Sequence, residues 1–188
     1  MFLILHGYMG SGPDHWQRWL AGRLRAKGER VARPDLPDPE HPRRAAWRAA
    51  FADAIEDGAT VIAHSLACVV WLDHCADPVC PARPERVLLV APPSRAGAPD
   101  ALAEFFPVPL DAGPVAAAAG STRLVCAPDD PYCPEDAALL YGAPLGLDVD
   151  LLPGAAHVNP ESGYGPWPGV EAWCYGASAS TSSRIAPG

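Results

Sequence analysis

Six short apolar runs, separated by stretches patterned for helices, constrain what this chain can fold into more than any other feature. The runs fall near residues 2–5, 30–33, 60–63, 86–91, 122–127 and 147–152, and helices are expected near 13–27, 42–57, 66–77, 134–142 and 167–175. Alternation of this kind builds a parallel sheet with helices packed on both faces. The expected fold class is therefore α/β, a single domain around a mostly parallel six-stranded sheet. Gly-Ser-Gly-Pro at 10–13 predicts Ser11 or Gly12 as the cap of the first helix, with Pro13 near its first turn. The stretch 92–121, rich in Pro, Ala and Gly, offers at most one short helix near 99–105, too little for a large lid. The segment ASASTSSRIAPG at 177–188 has almost nothing to bury and is expected to be disordered, which leaves 1–176 as the folded domain.

Composition then limits the function. A chain of 188 residues, 49% hydrophobic and 19% charged, can bury a core without disulfide staples. A net charge of −8 argues against a nucleic-acid backbone binder or a membrane adsorber. Basic residues concentrate in 18–48, which reads as a solvated face. No run approaches the roughly 18 apolar residues of a membrane span. The N-terminus has no basic stretch followed by a long apolar one, so no signal peptide is expected. Cys68, Cys75, Cys80, Cys126, Cys133 and Cys174 form neither a CxxC pair nor a Cys/His zinc spacing, and read as small buried side chains. There is no glycine-rich phosphate loop and no metal constellation. The expectation is a cytoplasmic protein acting on a small molecule, without metal, cofactor, nucleic acid or membrane, as a monomer or small homo-oligomer.

The chemistry begins at ATVIAHSLACVVWL, residues 59–72. A β-run ends in Ala-His-Ser-Leu-Ala and an apolar helix follows at once, which matches a G-x-S-x-G nucleophile elbow with alanine at both glycine positions. Such a turn brings the residues two before and two after the serine against neighbouring backbone, so they must be small. It also lifts the Ser65 hydroxyl to the carboxyl end of the sheet, at a helix N-terminus. A serine nucleophile needs a base, and the base needs an orienting carboxylate. Asp129-Asp130 follows the 122–127 run, and His157 follows the last run, so three candidates fall on three loops at one sheet edge. With a strand order of 2-1-3-4-5-6, the loops after the first and third strands meet. The backbone N–H groups of Tyr8 and Leu66 then become the candidate oxyanion donors.

Other residues are assigned plainer roles. His64 is expected to point away from the Ser65 hydroxyl as a structural residue, and His6 to shape the oxyanion loop at the edge of the substrate pocket. His15, His41 and His74 read as surface or packing residues, Asp14-His15-Trp16 as packing with a substrate contact left open, and Trp47 and Trp71 as helix core. Phe105, Phe106, Pro107, Val108 and Leu110 are expected to form a small apolar lip over the pocket.

Together these strings resemble the α/β-hydrolase superfamily, and within it the small, lidless serine hydrolases of the retinoblastoma-binding-protein-nine and YdeN group. The similarity rests on SGPDHWQ at 11–17, AHSLA at 63–67, VAPP at 90–93, FFPVPL at 105–110, DDPYCP at 129–134 and HVNPESGYGPWP at 157–168. It implies Ser65 as nucleophile, Asp130 as acid and His157 as base. The choice of Asp130 over Asp129 follows from the resemblance, since the acid of related hydrolases lies four residues before a proline, here Pro134. Pro131 supports it by restricting Asp130 to extended backbone. Ala156 departs from the pattern, which commonly has glycine before the histidine. The implied activity is hydrolysis of small carboxylic esters. The alternatives are a thioesterase or acyltransferase with the same triad, or a protein-binding module on a hydrolase frame.

Overall fold

A computed structural model describes residues 1–78 and 81–176. Cys80 and the segment 177–188 lie outside the described residues. The six strands are β1 (Phe2–Leu5), β2 (Val31–Ala32), β3 (Thr60–His64), β4 (Arg86–Val90), β5 (Ser121–Cys126) and β6 (Asp148–Leu151). They form one sheet of order β2-β1-β3-β4-β5-β6, parallel at every pairing.

The central strands are largely apolar because both faces are covered. Alternate side chains enter two separate cores. Leu3, Leu5, Val61, Ala63, Val87, Leu89, Leu124 and Cys126 fill one, and Phe2, Ile4, Ile62, Leu88, Val90 and Val125 fill the other. Helices α2 (Arg44–Ala54), α3 (Leu66–Ala76), α4 (Ala112–Ala118) and α5 (Ala143–Leu145) cover the first face. Helices α1 (Trp16–Ala26) and α6 (Pro168–Cys174) cover the second. Because α1 and α3 leave neighbouring strands toward opposite faces, the loops after β1 and β3 open into a cleft at the sheet's carboxyl edge.

Three expectations change. The cap of α1 is His15, whose Nδ1 accepts from the Gln17 N–H at 3.3 Å, and not Ser11 or Gly12. Ser11 is occupied otherwise, with its Oγ accepting from Arg33 and its carbonyl from Arg18, both at 3.0 Å. Pro13 sits in the turn closed by the His15 N–H on the Gly12 carbonyl, ahead of the helix. The 92–121 stretch holds a 3₁₀ helix at Asp100–Phe105, as expected, and also α4, which sequence reasoning missed. The basic block is not merely solvated: Arg44 pairs with the buried Asp73 of α3, Arg30 with Glu56, and Arg23 and Lys27 with Glu171. Among the described residues no helix is long and apolar enough to cross a membrane. Cys68, Cys75, Cys126, Cys133 and Cys174 are buried free thiols.

Candidate active site

Ser65 lies at the sharp turn between β3 and α3 with φ 56° and ψ −124°, a left-handed conformation that L-residues avoid. Such strain persists where the surroundings over-determine it. Here the Ser65 N–H donates to the Val90 carbonyl at 2.9 Å, and Ala63 and Ala67 on either side are fully buried. The small residues flanking the serine are thus dictated by packing.

Three side chains from three loops meet at this turn. His157 Nε2 lies 2.9 Å from Ser65 Oγ. On the other side of the ring, His157 Nδ1 lies 2.9 and 3.0 Å from the two Asp130 carboxylate oxygens. Since a carboxylate only accepts, Nδ1 carries the hydrogen and Nε2 is free to accept the serine proton. Asp130 is only 3% exposed, and its Oδ1 also accepts the Tyr132 N–H at 2.9 Å. The Tyr132 ring packs 4.4 Å from the His157 ring, a contact that sequence reasoning missed. This chain of hydrogen bonds has the arrangement needed to make a serine hydroxyl nucleophilic.

Gly7 brings β1 against the serine. A Cβ at this position would lie 2.5 Å from Ser65 Cβ and 3.0 Å from Oγ, so no larger residue fits. The Gly7 carbonyl accepts from His6 Nδ1–H at 2.8 Å and from the Gly10 N–H at 3.1 Å. A trans peptide holds its N–H opposite to its carbonyl, so these two donors fix the direction of the Tyr8 N–H. His6 is locked in this tautomer because its Nε2 accepts the Leu36 N–H at 3.0 Å. Among the described residues, neither Tyr8 nor Leu66 spends its backbone N–H on an internal acceptor. The Leu66 N–H sits in the first turn of α3, where the helix dipole favours negative charge.

The site opens into a cavity of about 740 Å³ walled by Tyr8, Met9, Asp14, His15, Leu102, Tyr132, Asn159 and Glu161, among others. The four side chains expected to form the pocket are elsewhere. His6 serves the loop backbone, as described. Phe105 is fully buried, edge-on to Trp47 at 5.9 Å, while Phe106 and Val108 pack on the same core. The 3₁₀ helix turns Phe105 inward and gives Leu102 to the cavity instead. Leu110 is 39% exposed and does not line the cavity.

His64 and His15 are more than packing. His64 Nε2–H donates to the His157 carbonyl at 3.0 Å, and His15 stands edge-on to His64 at 5.0 Å. Burial, reinforced by the neighbouring His157 and Arg33, lowers His15 to about 4, and burial also holds His64 well below the usual histidine range. Both are neutral at pH 7. His15, with Asp14, lines the cavity, so the open substrate-contact question for this tripeptide falls on those two residues while Trp16 is core. His41 is exposed beside Asp38, and His74 is buried on Trp71 and Phe51.

Comparison with known proteins gives the family and the fold. The serine hydrolase family model matches residues 2–175. YdeN of Bacillus subtilis, named as a hydrolase, is 34% identical over 77 residues, which span 38% of this chain and 40% of that protein. The crystal structure of the B. subtilis ydeN product superposes with a TM-score of 0.80 at 22% identity, over 93% of this chain and 96% of the other. A YdeN-like hydrolase from Pectobacterium atrosepticum gives 0.75 at 16% identity, over 97% and 92%. The Pyrococcus furiosus esterase Pf2001 gives 0.52 at 15% identity, over 84% and 73%. At such identities the likeness carries the α/β-hydrolase fold. With the family model spanning the whole sheet, from β1 through α6, the chain belongs to the serine hydrolase family.

Proposed function

We propose that the protein hydrolyses small carboxylic esters without negative charge through an acyl-enzyme on Ser65. The observation that carries this reading is the unbroken hydrogen-bond chain from Ser65 through His157 to Asp130. His157 Nε2 takes the Ser65 proton as Oγ attacks the ester carbonyl carbon. The tetrahedral oxyanion is stabilised by the Tyr8 and Leu66 N–H groups. Its collapse breaks the carbon–alkoxy bond, and His157 returns the proton to the departing alcohol. Water, deprotonated by the same ring, then releases the carboxylic acid and restores Ser65. Asp130 holds the His157 tautomer and stabilises the imidazolium without itself taking the proton.

The discrimination against anionic substrates comes from the cavity wall. Its charged side chains are Asp14 and Glu161, and no Lys or Arg side chain lines it among the described residues. The esterase description of a structural neighbour is consistent with this chemistry.

The test is labelling with a fluorophosphonate probe, followed by turnover of a panel of nitrophenyl esters. Wild-type protein labels on Ser65 and turns over, and Ser65→Ala does neither while keeping its circular dichroism spectrum. Product that partitions to an added alcohol or thiol in place of water would make the enzyme an acyltransferase. Folded wild-type protein that never labels would favour a binding module.

A further inference from the structure

The loop that carries His157 is strained on both sides of the histidine. Ala156 has φ 44° and Val158 has φ 50°, left-handed conformations at residues that are not glycine. Restraints from three elements hold the loop. The Val158 carbonyl accepts from Trp16 Nε1–H on α1 at 2.8 Å. The His157 carbonyl accepts from His64 at the end of β3. Ahead of the histidine, Asp129 takes the Gly154 N–H on Oδ1 at 2.8 Å and the Ala156 N–H on Oδ2 at 3.2 Å. Ala156 is therefore held in its unfavourable conformation by a charge-assisted bond to its own N–H. Asp129 is exposed and touches neither Ser65 nor the His157 ring.

We infer that Asp129 is a positioning residue: its carboxylate clamps the strained peptide at Ala156, so that the His157 ring reaches Asp130 and Ser65 at once. The inference rests on the acyl-transfer reading above. The two adjacent carboxylates divide one task. Asp130 orients the ring and Asp129 orients the backbone that bears it. Without the clamp, Ala156 relaxes toward ordinary backbone angles and swings the ring out of line. Displacements on the order of 1 Å at a reacting group cost about a hundredfold in rate.

The experiment compares wild type, Asp129→Ala, Asp129→Asn, Ala156→Gly and Asp129→Ala/Ala156→Gly. Three quantities are read: the rate constant for fluorophosphonate labelling of Ser65, the split between kcat and KM on nitrophenyl acetate, and the thermal midpoint. Asp129→Ala should slow labelling about ten- to a hundredfold and lower kcat in parallel, with KM changed much less. Asp129→Asn, which keeps one acceptor oxygen, should fall between it and wild type. In the Ala156→Gly background the same Asp129→Ala change should cost at most about a third as much, because glycine adopts the left-handed conformation freely. A residue with a purely structural role would lower the midpoint but leave labelling of the folded protein untouched. Folded Asp129→Ala that labels within about twofold of wild type overturns the inference, as do equal costs in the two backgrounds. If Asp129→Ala is unfolded at the assay temperature, the same comparisons are made with Asp129→Asn. Failure of wild type to label at Ser65 would instead sink the acyl-transfer reading, and the clamp with it.

Discussion

Gly7→Ala is the most economical way to break the site without touching a titrating group. The added Cβ would lie 2.5 Å from Ser65 Cβ, 3.0 Å from Oγ and 3.2 Å from the His64 carbonyl oxygen. Carbon atoms in contact sit about 3.5–4.0 Å apart, so the turn must retreat by about 1 Å. It has little freedom to do so, because Leu5 and Ala63 are paired in the sheet and Ser65 N–H is bonded to Val90. Retreat lengthens the 2.9 Å bond to His157 and separates Ser65 from the Tyr8 N–H. The expected loss is on the order of a hundredfold in kcat, with about 1–3 kcal/mol of stability lost to overpacking. The control is Gly22→Ala on α1, where an added Cβ meets nothing within 4 Å. It should raise stability by about 0.5–1 kcal/mol and leave turnover unchanged. Both variants are assayed by fluorophosphonate labelling and ester turnover well below their thermal midpoints. Gly7→Ala turning over within about threefold of wild type would refute the claim that steric exclusion at this glycine sets the serine's position.

Three further expectations follow from the site. Asp130→Asn should lower kcat by about 10⁴-fold, the loss seen for the matching change in the serine protease that serves as the standard example; a loss under about tenfold would remove Asp130 from the machinery. Stability should rise with pH between about 4 and 6.5, since unfolded His15 protonates near 6.5 whereas the folded residue stays neutral to about 4. His15 alone contributes about 3 kcal/mol across that window, His6 and His64 act in the same direction, and flat urea midpoints from pH 4 to 6.5 would contradict this. Finally, kcat/KM for a neutral nitrophenyl ester should exceed that for its carboxylate-bearing analogue by about fivefold or more at low salt. The gap should narrow as salt screens Asp14 and Glu161, and a preference for the anionic ester would reverse the argument.

The sheet was legible because its signal is local. Runs such as FLIL and TVIAH declare strands by composition alone, whereas the order in which they pair was an assumption that no local pattern encodes. The sharp turn at Ser65 was legible for the same reason: it needs small residues at fixed offsets within five positions. Helix α4 was hidden because AGPVAAA carries both Gly and Pro, and its stability comes from packing Val115 on the core. Phe105 was read as a lip because sequence gives hydrophobicity without direction, and the face it presents depends on where the 3₁₀ helix meets Trp47. Asp129 was passed over in favour of Asp130 as the acid. It takes backbone N–H groups 25 and 27 residues further along the chain, which no local pattern could reveal. His64 and His15 have the same difficulty, since their partners belong to other strands and loops.

The division of the interior into two cores has a consequence for cooperativity. Ser65 opens α3, whose side chains Leu66 through Leu72, with Cys75, are rooted in one core. The base loop is rooted in the other through Ala155 and Val158. The reacting pair is therefore stapled across the sheet, with one member anchored in each layer. Neither layer can melt while the other preserves a working site, so turnover in denaturant should be lost with whichever layer unfolds first. Turnover through this pair would report on the integrity of both hydrophobic layers at once, and no partly unfolded form that has shed α1 and α6 would retain it.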